Sequence, residues 1–591
     1  MPANAAATLS FRDFYVLVPE MVLALWGLIV LMVDLGLLRG QTIPRRRQVL
    51  GRLSLLGTLV ATVAAVAPLL VRFDDTGAWE WLNFAGYNYA ENPDPVLFFD
   101  AISGDVLTET YNLLLTLLLA LVVWMSMAWS FTENWGEYFA LMFWSTVGMM
   151  LLTASEELLT LFLTLETMTI CLYLCTAFEK NRRRSPEAGL KYFVYGSVSS
   201  ALFLFGLSLL YGLTGSTRFD AIWHALRPVL GDNSGLTGNL AGVTAVLLML
   251  VGFGFKVAVV PFHQWAPDAY EGAPAPVTAW IATGSKIASF VALMKVLLHA
   301  LGPWASPTNH VMNPGWIGVV VVLSAASMTY GNFAALAQRN LKRMLAYSSI
   351  AHSGYMLVGV MAAGVSTRRQ EAAGSVLFYL VVYAFSNIGA FAVAAWLARD
   401  KGSDDIDDLN GLGFRYPGLA TCILLLMLSL IGMPPLAGFF GKLYMFMEAL
   451  DESQAHSSRL TLMWLVGLGL INSVVSAFYY VRVLKAMFLR HPGRAVLAPA
   501  GSSLAVPIVL ATAVVIGFGL YPTPLLNLMK AAAVPMIEES GRTSAEGQPA
   551  SQGEPDRENA PGTPKPGPAA EPSREGPSSH PSPAPVPAPN S

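Results

Sequence analysis

Charge is what this sequence has least of. Only 13% of its 591 residues are charged and 54% are hydrophobic, where soluble proteins carry about 25% charged residues. Mean hydropathy is +0.52, so the composition is that of a membrane protein. A net charge of −3 says nothing for nucleic acid or acidic partners, and no nucleic acid is expected. Cysteine is almost absent. Cys171, Cys175 and Cys422 lie in apolar runs and cannot assemble an iron–sulfur or zinc site. Cys171 and Cys175 share a helix face and could form a redox pair, but small buried apolar residues are the simpler reading. No motif for NADH, flavin, iron–sulfur or haem is present, so no cofactor and no metal is expected in this chain. A signal peptide is also missing. The first apolar run, Tyr15 to Leu38, is too long for one and has no basic stretch before it.

Long hydrophobic runs are plentiful. A membrane helix needs about 20 mostly apolar residues, and by that measure the sequence predicts an all-α polytopic protein of about fourteen spans. They fall near 14–38, 49–71, 107–131, 138–153, 157–178, 192–213, 243–262, 277–299, 316–337, 344–364, 375–398, 419–448, 461–489 and 503–521. Lys and Arg alternate between connections. The first (Arg39, Arg45, Arg46, Arg47, Arg52), fifth (Lys180, Arg182, Arg183, Arg184, Lys191), ninth (Arg339, Lys342, Arg343), eleventh (Arg399, Lys401, Arg415) and thirteenth (Lys485, Arg490, Arg494) are basic. The second is acidic, with Asp74, Asp75, Glu80, Glu91, Asp94 and Asp100. Basic loops stay in the cytoplasm, which predicts an inner-membrane protein with both termini on the periplasmic side. From residue 537 to 591 the chain turns to Pro, Gly, Ser, Glu and Ala, a composition that predicts a disordered tail.

Ionisable residues inside the spans are the informative anomaly, since each costs about 2.5–3.5 kcal/mol to insert. Glu166 lies mid-span in LFLTLETMTICLYL, Lys256 in LMLVGFGFKVAVVPFHQW, Lys286 in TGSKIASF and Lys442 in SLIGMPPLAGFFGKLYMF. A structural ion pair accounts for Glu166 and one lysine. It does not account for three lysines, because one acid cannot neutralise them. A surplus of buried bases suits a proton relay. Gly252, Gly254 and Pro261 surround Lys256, and Gly432, Pro434, Pro435, Gly438 and Gly441 precede Lys442. Interior proline breaks a helix, broken spans are tolerated where they line a polar cavity, and paired interruptions in two halves point to a transport site. A packing kink is the bland alternative for either one.

GFGFK at 252–256 resembles GFFGK at 438–442, five spans apart, as two inverted five-helix repeats require. The expected organisation is therefore 1–137 with helices 1–3, 138–299 and 316–489 as the repeats, 490–530 with helix 14, then the tail. By the same offset His352 is the counterpart of Glu166 and Asn472 that of Lys286. A lone His in an apolar helix can equally be a satisfied core residue. Lys295 lies nine residues after Lys286 and faces largely away from it, so it is expected to snorkel to the outer interface. Tyr383 and Asn387 could carry waters or simply bond between helices. The seventh connection, PFHQWAPDAYEGAPAPVTA, holds His263, Asp268 and Glu271. No second His or Cys supports a metal there, and a proton entry point at the cytoplasmic face is the better reading.

KVAVVPFHQWAPDAYEGAPAPVTAWIATGSK, RNLKRMLAYSSIAHSGYMLVG and PPLAGFFGKLYMF carry a resemblance. They are similar to subunit N of bacterial NADH-quinone oxidoreductase, respiratory complex I, one of the antiporter-like subunits related to multisubunit Na+/H+ antiporters. The resemblance covers about residues 10 to 525. It implies fourteen helices, two inverted five-helix repeats, broken helices seven and twelve, and a proton channel along a central polar axis. The family's helix-five glutamate falls on Glu166, and its lysines of helices seven, eight and twelve fall on Lys256, Lys286 and Lys442. The resemblance also implies hetero-oligomeric assembly with other membrane subunits, with NADH, FMN, Fe–S clusters and quinone held by partners. An Mrp-type cation/proton antiporter subunit is the alternative function.

Overall fold

The computed structural model describes residues 13–73, 96–98, 100–229, 240–305, 315–450, 456–491 and 498–537. Within them, twelve helices are long and apolar enough to cross a membrane, and two shorter apolar helices lie where broken spans are expected. They are α1 (Val18–Leu37), α2 (Ile43–Arg72), α3 (Val106–Ser126), α4 (Trp135–Ala154), α5 (Leu158–Thr176), α6 (Arg184–Thr214) and α7 (Leu240–Lys256). Then come α8 (Ala275–Ala300), α9 (Gly315–Leu336), α10 (Leu341–Val365), α11 (Arg369–Lys401), α12 (Pro417–Ile431), α13 (His456–Leu489) and α14 (Ser502–Leu520). The fourteen-span architecture thus stands. The acidic residues Asp74 to Asp94, Arg494 and the tail from 538 lie outside the described residues.

Several helices outrun their apolar segments. Arg45, Arg46, Arg47 and Arg52 are on α2 rather than in a loop, as Lys191 is on α6, Arg399 and Lys401 on α11 and Lys485 on α13. A helix satisfies its own backbone and can continue past the hydrocarbon, so hydropathy marks the membrane portion and not the helix end. Two amphipathic helices, Phe219–Val229 and Thr523–Ala533, have no counterpart among the fourteen segments read from hydropathy. The first buries Phe219, Ile222 and Leu226, at helical spacing, but is too short to span.

Both anticipated breaks are present. α7 ends at Lys256, and the chain resumes as the short helix Trp265–Gly272 before α8. α12 ends at Ile431 and its second piece runs Ala437–Ala449. The breaks fall on opposite sides of their lysines: Lys256 closes the first piece of its span, whereas Lys442 sits within the second. The GFGFK and GFFGK segments are therefore alike in composition but not in position relative to the break.

Lipid tails are as apolar as leucine, so helices in a membrane associate through close backbone approach and polar contacts. Gly148 of α4 shows the first: a Cβ there would lie 2.6 Å from the Met168 backbone nitrogen of α5. Asp34 of α1 shows the second. It receives Arg46 Nε at 2.8 Å, Arg46 Nη2 at 2.7 Å and the Gly136 backbone N–H at 3.0 Å, which joins α1, α2 and α4. Arg72 of α2 and Glu109 of α3 pair at 2.8 Å. Helices α8 and α11 are fully enclosed and α10 nearly so. Apolar side chains of α1, α6 and α13, such as Met32, Phe205 and Phe478, face outward. The spans that carry Lys286, His352 and Tyr379 thereby occupy the interior, and the exposed apolar faces meet the membrane or neighbouring chains.

Candidate functional site

Glu166 lies on the inner side of α5, opposite the end of α7. Lys256 Nζ stands 3.6 Å from Glu166 Oε1, and Ser200 Oγ of α6 donates to the same oxygen at 2.5 Å. The lysine side chain is 2% exposed and the glutamate 23%, so the base is sealed while the acid keeps an edge at the protein surface. Neighbouring elements bond to the backbone at the break that places Lys256. Trp265 Nε1 donates to the Phe255 carbonyl at 2.8 Å, and the Val260 N–H donates to Ser327 Oγ of α9 at 2.9 Å. The first satisfies one of the carbonyls that a helix end leaves open, and the second anchors the chain beyond the break. Gly254 is required here, since a Cβ would come within 2.6 Å of the Phe262 ring.

Lys286 has no carboxylate among its hydrogen-bond partners. Its ammonium donates to the Ser349 carbonyl at 2.8 Å, to Ser349 Oγ at 2.5 Å and to Ser353 Oγ at 2.8 Å. Ser353 Oγ donates in turn to the Val257 carbonyl at 2.6 Å, so the residue after Lys256 and the Lys286 ammonium share one serine. Tyr383 Oη donates to Ser349 Oγ at 2.8 Å. Lys286 directly follows a π-helical turn, Ile281–Ser285, a form that often marks functional positions within α-helices.

Lys442 reaches back across its break. Its ammonium donates to the carbonyls of Ile431 at 2.9 Å and Leu430 at 3.2 Å, the open C-terminal end of α12, and lies 4.8 Å above the Tyr355 ring. Gly432 makes the turn with φ +91°, and a Cβ on Gly438 would fall 2.0 Å from the Ser429 carbonyl. His352 is on α10 between these centres. Its Nδ1 pairs with Tyr379 Oη at 2.6 Å and its Nε2 with Tyr480 Oη at 3.3 Å.

The structure thus gathers Glu166 with Lys256, links the Lys256 segment to Lys286 through Ser353, and sets His352 on the same helix as the serines that hold Lys286. His263 is not part of this group. It is buried against the Tyr330 ring at 4.7 Å. Asp268 and Glu271 instead bind Arg343 at 2.7 and 3.0 Å, in a charged cleft that Arg184 and Lys191 also line. No metal-holding cluster occurs among the described residues. Asn472 meets Asn332 at 3.3 Å rather than a lysine partner. Lys295 does not snorkel. It is buried, 2.8 Å from Glu156 and 3.9 Å from Asp105, because those carboxylates offer an internal partner nearer than the interface. Asn387 donates within its own helix, to the Tyr383 carbonyl at 2.9 Å. Ser200, Ser349, Ser353, Tyr379 and Tyr480 escaped the sequence reading. Serine at i and i+4 in an apolar helix is a signal in principle, but Ser and Tyr are too common in membrane helices to single out unaided.

Comparison with known proteins identifies the family. Residues 155–471, more than half of the chain, match the family described as the NADH:quinone oxidoreductase/Mrp antiporter membrane region. NADH-quinone oxidoreductase subunit N of Paramagnetospirillum magneticum is 37% identical over 533 residues, covering 90% of this chain and 99% of the relative. The chain belongs to the subunit N family of NADH-quinone oxidoreductase. The F(420)H(2) dehydrogenase subunit N of Methanosarcina mazei, at 35% identity over 88% of the chain and 99% of the relative, is a further member-like sequence. Among solved structures, a chain of respiratory complex I from Thermus thermophilus superposes with a TM-score of 0.66 at 30% identity, over 87% of this chain and 99% of that one. A chain of the Mrp complex from Dietzia sp. reaches 0.68 at 19% identity, over 88% and 98%, a likeness of fold. The subunit N family protein is a multi-pass membrane subunit of an oxidoreductase assembly.

Proposed function

We propose that this subunit carries protons across the membrane through Glu166, Lys256, Lys286, His352 and Lys442, driven by quinone reduction elsewhere in the complex. The observation that carries the reading is that one carboxylate and three lysines are held in the membrane interior on a string of hydroxyls and carbonyls, with only Lys256 paired to the acid. Glu166 3.6 Å away stabilises the Lys256 ammonium. When Glu166 withdraws or is neutralised, Lys256 loses its counter-charge and passes a proton towards Lys286. His352 and Lys442 then lead it to the opposite face. The energy comes from partner subunits that hold NADH, FMN, Fe–S clusters and quinone, and this chain supplies the conduit without a redox centre of its own. The cleft at Asp268 and Glu271, with the neighbouring His263, is the entry from the cytoplasm. Both termini lie on the periplasmic side, as the basic odd-numbered connections suggest.

Lys256→Ala in the assembled complex is the test. Proton uptake by inverted membrane vesicles is expected to fall to near background, with the complex assembled at its normal level. Pumping at the unmodified rate would refute the role.

A further inference from the structure

Between Lys286 and Lys442 the reading above leaves a stretch occupied by neutral side chains. His352 has a phenol on each ring nitrogen, Tyr379 Oη at 2.6 Å from Nδ1 and Tyr480 Oη at 3.3 Å from Nε2. Tyr480 Oη is also hydrogen-bonded to Ser348 Oγ, next in sequence to the Ser349 that holds Lys286. At the other end, Tyr379 lies against the helix that carries Lys442: a Cβ on Gly441 would be 2.3 Å from its ring. All of these side chains are buried. They come from three separate helices, α10, α11 and α13, and meet at one imidazole.

We propose that Tyr480 and Tyr379 are relay residues that conduct the proton through His352, forming the segment Ser348–Tyr480–His352–Tyr379 between Lys286 and Lys442. The inference rests on the proton-translocation reading and extends it to residues which that reading does not use. An imidazole with one N–H is both donor and acceptor. With the hydrogen on Nδ1, Nε2 accepts from Tyr480. A proton arriving from the Lys286 ammonium, through the serines and water, binds Tyr480 Oη. The original Tyr480 O–H breaks as an Nε2–H bond forms. The Nδ1–H bond breaks as an O–H bond forms on Tyr379, whose own proton leaves through water for Lys442 once that ammonium has released its proton to the opposite face. One proton advances, Lys286 ends neutral and Lys442 charged, and neither a phenolate nor an imidazolium accumulates. The first tautomer returns when, between transfers, the Nε2–H proton is given to water and Nδ1 takes one from water in exchange. The alternative is that the phenols merely satisfy a buried histidine, in which case they contribute stability and no conduction.

Tyr379→Phe and Tyr480→Phe keep the rings and remove only the hydroxyls. Each is to be measured in the assembled complex in membrane vesicles, with Tyr111→Phe as control, a buried phenol that donates to the Leu377 carbonyl at 3.1 Å, and Lys256→Ala alongside. NADH-driven proton pumping is expected to fall at least tenfold in Tyr379→Phe and in Tyr480→Phe, at normal complex content, with NADH oxidation by an artificial acceptor unchanged. The Tyr111→Phe control should pump at the unmodified rate. If both relay variants pump normally while Lys256→Ala is silent, the phenol wire is overturned and the lysine relay survives. A lowered thermal midpoint with unchanged pumping overturns it equally. Normal pumping in Lys256→Ala removes the reading on which the wire depends.

Discussion

The Glu166–Lys256 pair gives the sharpest expectation. Glu166→Gln keeps the shape of the side chain and an oxygen to accept from Ser200, and deletes only the charge. At the observed 3.6 Å, and with an effective dielectric of about 20, the lost attraction is about 4–5 kcal/mol. The carboxylate is 23% exposed, so screening by any surrounding water places the true value at or below that figure. About 4 kcal/mol is three powers of ten in an equilibrium or rate, which is enough to collapse a step that depends on holding the Lys256 ammonium in place. Glu166→Asp retracts the charge by about 1 Å, leaving about 3–4 kcal/mol of attraction, a tenfold loss at most. Fluorescence quenching by a pH-sensitive dye in inverted vesicles should therefore rank the variants in order: unmodified, Asp several-fold lower, Gln near background. Equal pumping in all three would show that the carboxylate charge is idle and would break the argument.

Two further outcomes follow from packing. Gly148→Ala should destabilise the complex by about 1–3 kcal/mol, because its new Cβ would lie 2.6 Å from Met168 backbone, which no rotamer change can relieve; an unshifted thermal-inactivation midpoint would contradict the α4–α5 contact. Lys295→Met should lower the yield of assembled complex, since it removes the cation that faces Glu156 and Asp105 in the protein interior, at a cost near the low end of about 3–5 kcal/mol because Asp105 keeps its bonds from Ser103 and the Thr108 N–H. Lys295→Arg should restore it, and a Met variant as abundant as the unmodified protein would exclude a structural role for the pair.

Hydropathy made the spans legible because the membrane imposes one length on all of them. Glu166, Lys256, Lys286 and Lys442 were legible because charge in hydrocarbon is expensive and therefore rare. Prolines 261, 434 and 435 located both breaks. What the sequence concealed was partnership. Lys295 and Lys286 look alike in a string of letters, yet one meets Glu156 at 2.8 Å and the other three uncharged oxygens. Carboxylates in the loops before α3 and α5 decide the difference, and their approach is a property of the fold. The same holds for Arg46, which the loop assignment treated as a sign of sidedness and which instead clasps Asp34. The tyrosines around His352 come from α11 and α13, and no local pattern announces that they converge.

The two breaks bear on how lysines can be kept in the membrane without acids. A helix C-terminus carries about half a negative charge on its unsatisfied carbonyls, and cations are stabilised there. Lys256 is itself the last residue of α7. Lys442 lies beyond its break but folds back to donate to the carbonyls of Leu430 and Ile431, the last two residues of α12. The Lys442 ammonium is thus served by a helix end, whereas the Lys256 ammonium, at the end of its own helix, faces Glu166. Lys286, in a span that does not break, draws on the carbonyl and hydroxyl of Ser349 and the hydroxyl of Ser353 instead. Neutral dipoles of this kind stabilise an ammonium more weakly than a carboxylate would, and hydroxyls can reorient when the proton leaves. A full counter-ion at each lysine would fix the charge where it was placed. In the proposed relay, confining the carboxylate to Lys256, and giving the other two lysines only carbonyls and hydroxyls, would leave the proton bound at each position yet free to move on.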